Sequence, residues 1–181
     1  MAIKINAGEC EYGIVEAWVK TQEKDWRNAT VHETLKVHEP FEVKVKVITK
    51  VNCPWFSIKI YGYGNAYEIQ SGPTEIGKWL DEDNLSAGTE RTYQWTVRPT
   101  GKFTEGEAPL NVRAQFHSKD SGNNKFVDFT IIAAYISSEE WKDSGNGNEE
   151  GESNEGTPGF EVVLVTIAFL IGSYVFRKNE I

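Results

Sequence analysis

Trp55, Tyr61 and Tyr63 occupy alternate positions of one strand-like run, 55–63, on the face opposite Phe56, Ile58 and Ile60. Rings exposed in such a row would stack on the flat faces of sugars, which makes these three the candidate glycan-stacking residues. A second sheet lying over them would instead make them core. The remaining reactive groups are dispersed. Gly62-Tyr63-Gly64 has no glycine three residues beyond Gly64, and an extended segment follows it, so it reads as a tight turn and not a dinucleotide loop. Serines, histidines and carboxylates occur without a Gly-x-Ser-x-Gly elbow or a comparable constellation. Glu75, Asp81, Glu82 and Asp83 lack the spacing of a calcium loop and read as a solvated acidic segment. His32, His38, His117 and the two cysteines do not fall at zinc-ligand spacing. No catalytic residue, cofactor or metal is expected.

Two modifications follow from local pattern. Asn28-Ala29-Thr30 and Asn84-Leu85-Ser86 fit the glycosylation acceptor tripeptide, which requires Asn28 and Asn84 to lie on exposed segments of an exported protein. Cys10 and Cys53 would close a disulfide loop worth about 3–4 kcal/mol in an oxidising compartment. In a reducing one they are free thiols, so location decides between the two. The net charge of -8 repels phosphate backbones, and no basic stripe with interleaved aromatics occurs, which argues against nucleic acid as a partner.

These residues need a β scaffold to hold them. From Phe41 to Val51 apolar and charged residues alternate, the signature of a half-buried antiparallel strand. Further runs at 12–19, 55–63, 66–70, 91–98, 110–117 and 126–136 are rich in aromatic and β-branched residues and are separated by Gly, Pro, Asn and Asp. Strands of this size and number predict an all-β, immunoglobulin-like antiparallel sandwich over 11–141, preceded by an extension at 1–10. Residues 74–83 are expected to form a loop with a single turn, and Trp18, Trp79 and Trp95 to lie in the core.

After Trp141 the composition changes. Residues 142–158 are rich in Gly, Asn, Glu and Ser with nothing apolar to bury, and form a disordered acidic linker with a reach of roughly 20–25 Å. The segment 159–176 is apolar on every side of a helix apart from Glu161, and predicts one transmembrane helix about 25 Å long in contact with membrane lipid. Arg177 and Lys178, in the basic tail 177–181, keep the C-terminus cytoplasmic and turn the domain outward. The first ten residues lack the apolar run of a secretory leader, so the outward reading expects a leader ahead of this start. A tail-anchored protein facing the cytosol is the competing arrangement.

Pro158-Gly159-Phe160, the apolar span and Arg177-Lys178, in that order at the C-terminus, resemble the archaeal sorting signal named for its Pro-Gly-Phe tripeptide. The resemblance implies an archaeosortase that removes the segment and joins the protein to lipid. The body of the chain, over about residues 12–141, resembles the sarcinarray family of methanogenic archaea. The stretches that carry this are Asn28-Ala29-Thr30, Leu35-Lys36-Val37-His38-Glu39-Pro40-Phe41, Tyr67-Glu68-Ile69-Gln70-Ser71-Gly72-Pro73, Tyr93-Gln94-Trp95-Thr96-Val97-Arg98-Pro99-Thr100 and Ala108-Pro109-Leu110-Asn111-Val112. The family implies an exported envelope protein of the cell surface or surface layer and transfers no catalytic residue. The expectation is therefore a non-enzymatic surface structural or interaction protein, with envelope proteins or its own copies as partners. A surface carbohydrate-binding module is the alternative, and an envelope hydrolase would require carboxylates converging in a deep cleft.

Overall fold

Phe41, Val43, Val45 and Val47 alternate with Glu42, Lys44 and Lys46, and the protein buries the first set completely. The computed structural model describes residues 7–22 and 24–142, and this run is its strand β5 (Phe41–Thr49). The others are β1 (Ala7–Cys10), β2 (Gly13–Lys20), β3 (Arg27–Asn28), β4 (Val31–Val37), β6 (Cys53–Gly62), β7 (Tyr67–Ser71), β8 (Leu80–Leu85), β9 (Glu90–Pro99), β10 (Gly106–His117) and β11 (Asn124–Glu140). One sheet has the order β1-β2-β5-β9-β7, with β3 paired to β2, and the other has the order β4-β11-β10-β6-β8. The described residues are all-β.

The two sheets share one core. Val15, Ala17 and Val19, the valines of β5, and Trp95 and Val97 come from the first; Phe56, Ile58 and Ile60 with Leu110, Val112, Ala114 and Phe116 come from the second. Tilted rings of Phe56 and Phe116 lie 5.0 Å apart at its centre. Tyr67 crosses between the sheets and donates its buried hydroxyl to the Ala108 carbonyl at 2.6 Å. Gly13 allows β2 to enter this core: a Cβ there would stand 2.4 Å from the Phe116 ring and 2.9 Å from the Ile48 carbonyl oxygen.

Glu33 ties β4 to the opposite sheet. It pairs with Ala134, so its side chain falls on the inner face, where it is 13% exposed. Lys24 donates to both carboxylate oxygens at 2.7 and 2.9 Å, and Arg27 of β3 donates to one of them at 2.5 Å. Burial works to raise the Glu33 pKa, but the hydrogen bonds from Lys24 and Arg27 outweigh it and hold the carboxyl below its ordinary value.

The sandwich departs from the sequence reading in several places. Residues 7–10, expected as an extension, form β1 in register with β2. Val31–Val37, which the reading passed over, is a strand that runs parallel to β11, so its sheet is mixed and not wholly antiparallel. The stretch 80–85 is not a continuation of the loop but the edge strand β8, aligned by its ladder to β6 despite its acidic residues. The linker beyond Lys142, the helix at 159–176, and the sorting-signal residues Pro158, Gly159, Phe160, Arg177 and Lys178 lie outside the described residues.

Candidate functional site

In β6 the alternation that buries Phe56, Ile58 and Ile60 turns Trp55, Ser57, Lys59 and Tyr61 to the outer face of the five-stranded sheet. Pairing continues this face across the sheet: Lys59 lies opposite Arg113, and Arg113 opposite Asp128. The Arg113 Nε donates to Asp128 Oδ2 at 2.6 Å, and Nη2 engages the same oxygen. Tyr61 donates its hydroxyl to Asp128 Oδ1 at 2.7 Å, and the Arg113 guanidinium carbon lies 5.4 Å from the Tyr61 ring centre. Burial, then the bond to Asp128, pushes the Tyr61 phenol up. The Asp128 carboxylate holds the Arg113 guanidinium in its charged form.

Aromatic residues surround this polar centre. Lys59 Nζ sits 4.4 Å from the Trp79 ring centre, a cation–π contact that places Trp79 on the same outer face and not in the core. Trp79 is 38% exposed, Phe126 54% and Tyr135 38%, and no third layer of described residues covers them. Phe126 pairs with Gln115 and Tyr135 with Glu107, which puts both on the outer face of β11. The outer face of the other sheet is built differently. It carries the ion pairs Lys46–Glu90 at 2.8 Å and Arg98–Glu68 at 2.6 Å, and Lys44 lies over the rings of Trp18 and Trp26 at 5.1 and 4.3 Å. Trp18 is therefore half-buried under a lysine, while Trp95 is wholly core.

The candidate glycan-stacking residues do not form one strip. Trp55 and Tyr61 share the outer face but are six residues apart, roughly 20 Å along a strand. Tyr63, 63% exposed, lies beyond the end of β6 and packs edge-on against Phe103 at 5.6 Å. The acidic segment is divided as well. Asp81 takes the Ser57 hydroxyl, whereas Glu82 accepts from Arg91 Nε at 3.0 Å and from the Tyr93 hydroxyl at 2.8 Å. Among the described residues no cluster of His, Cys, Asp and Glu could hold a metal ion.

Carboxylates do gather in a depression of about 510 Å³ beside the end of β11, at Glu39, Glu139 and Glu140. Each already has a partner: the Lys36 amide donates to Glu39 at 2.9 Å, Lys36 Nζ lies 2.8 Å from Glu139, and His38 Nδ1 lies 3.0 Å from Glu140. Glu139 and Glu140 are 69% and 63% exposed, so the depression contains no buried acid of the kind a hydrolase uses. Asn28 and Asn84 are both exposed, Asn28 on β3 and Asn84 near the end of β8 with φ at 58°.

Cys10 and Cys53 carry free thiols in this structure. Each sulfur is engaged within its own turn: Cys10 Sγ accepts from the Tyr12 amide at 3.4 Å, and Cys53 Sγ donates to the Val51 carbonyl at 3.6 Å. Burial, then the neighbouring Cys10, pushes the Cys53 thiol up, and Cys53 is 1% exposed. Maleimide labelling of the native protein near neutral pH should therefore modify half-buried Cys10 first, and Cys53 at least about 100-fold more slowly until the protein unfolds. Equal rates would contradict this arrangement.

No curated protein matches the chain. A solved structure with some likeness is AggA, the major subunit of aggregative adherence fimbriae type I from Escherichia coli. It is 16% identical with a TM-score of 0.36, over 68% of this chain and 95% of that one. A family match is far more extensive. Residues 27–178, from β3 through both sheets and on past the last described strand, match the MAST domain, and the chain belongs to that family.

Proposed function

We propose that this chain is a non-enzymatic structural or interaction module of an archaeal cell surface, held at the membrane by the segment 159–176. The observation that carries the proposal is the tail itself: an acidic linker, the Pro158-Gly159-Phe160 tripeptide, an unbroken apolar span and then Arg177 and Lys178. The family match supports it by extending to residue 178, so that β domain, linker and apolar segment belong to one recurrent unit. The sarcinarray-like stretches support the same address. In the domain, exposed aromatics on an open sheet face suit contact with a partner, and the carboxylates near β11 are solvated and paired.

The test is the intact mass and C-terminal sequence of protein recovered from its native membrane, together with protease treatment of whole cells. Cleavage of the β domain from outside, with a mass ending near Pro158 plus lipid, is the expected result. A retained Ile181 would identify a permanent anchor in place of a processed signal. Full protection of the domain in intact cells would overturn the surface assignment.

A further inference from the structure

We propose that the outer face of the five-stranded sheet is a homodimer interface, onto which a second copy of this chain docks through the same face. The inference rests on the reading above of the chain as an interaction module, and names its partner.

Size is the first argument. Five strands at about 4.8 Å spacing and about ten residues at 3.4 Å each give a face of roughly 800 Å². That is about the area each partner contributes to a standard specific interface. The exposed rings are distributed over it, with Trp79 on the β8 side and Phe126 and Tyr135 nine residues apart on β11, about 30 Å. A sugar ring could use one of these at a time. A flat surface as wide as the sheet covers all of them, and another copy of the same twisted sheet supplies one, since sheets pack face to face in near alignment.

Charge is the second. Lys59 and Arg113 stand beside Asp81, Asp83 and Asp128, so the middle of this face is within one charge of neutral in a chain of net charge -8. Two copies would meet there with little net repulsion. Arg113 is already paired with Asp128 and Lys59 lies against the Trp79 ring, so docking there strands neither cation. Aromatic residues and arginine are also the types on which interface affinity concentrates. The opposite face, laced with hydrated ion pairs, would lose solvation on docking.

The experiment is light scattering of the detergent-solubilised full chain, with cross-linking in the native membrane. Comparison variants are Phe126→Asp and Trp79→Glu on this face and Thr92→Asp on the other. Circular dichroism confirms folding of each, and exposure of Phe126 and Trp79 makes two independent misfolding variants unexpected. A dimer in the wild type and in Thr92→Asp, weakened at least about tenfold in either variant of this face, is the expected result. A monomeric wild type would overturn the proposal, as would dimers unaffected by both substitutions. A monomer that binds glycans, with binding lost in Trp55→Ala, would assign the face to carbohydrate and overturn it as well. A monomer exposed to external protease sinks this inference alone, whereas a dimer found inside the cell sinks only the surface assignment.

Discussion

Trp95→Ala is expected to lower the unfolding free energy by about 3–5 kcal/mol, the range for truncating a large aromatic in a packed core. Trp95 is fully buried in β9 with its indole packed so closely on Gly72 that a Cβ there would come within 2.4 Å of the ring. The Thr74 hydroxyl also loses the indole N–H that donates to it at 3.3 Å. In a domain of this size the melting temperature should fall by roughly 10–15 °C. Trp79→Ala, at an exposed ring, should change stability by less than about 1 kcal/mol. Calorimetry giving similar losses for the two variants would contradict the packing described.

Glu33→Ala should cost about 2–3 kcal/mol, because it removes the acceptor shared by Lys24 and Arg27 and leaves the Arg27 guanidinium, whose Nε is buried, without its carboxylate. The figure is toward the low end for a buried pair because both cations are partly exposed. The pH dependence has a definite sign. A carboxyl whose folded pKa lies below its unfolded value of about 4.5 contributes stability above that pH, and loses it as the pH falls through the folded value. The difference in urea midpoint between wild type and Glu33→Gln should therefore be constant near neutrality and shrink below about pH 4.5. A difference that persists unchanged at pH 3 would mean that the charge is not what holds β4 in place.

The elements legible in the sequence were those in which one periodicity governs the whole run. β5 alternates without interruption, and its buried face follows directly from the side chains. β8 was hidden because Asp81, Glu82, Asp83 and Asn84 are poor strand formers. Its ladder to β6 aligns them, with a hydroxyl from Ser57 for Asp81 and the Arg91 guanidinium of the opposite sheet for Glu82. Trp79 looked like core because its neighbours Ile76 and Leu80 are apolar, yet the Lys59 stem and ammonium give the indole an acceptable place at the surface. The aromatic character of β6 was legible, whereas its polar counterpart was not. Tyr61, Arg113 and Asp128 belong to three separate strands, and only the register of the sheet brings them together.

The parallel pairing of β4 with β11 also determines how the domain meets tension. β11 is flanked on both sides, antiparallel to β10 from Asn124 to Ile136 and parallel to β4 as far as Glu140, with a last bond from the Trp141 amide to the Val37 carbonyl at 2.9 Å. A force applied beyond Lys142 and directed along the strand draws β11 lengthwise between two fixed neighbours, so that the bonds of both ladders resist together in shear. An edge strand pulled sideways from its end would instead surrender them one at a time. Forced unfolding is governed by the unfolding rate, and shear raises the barrier that sets it. Pulled along its own axis from its C-terminal end, β11 thus loads the domain in a direction in which its backbone resists parting.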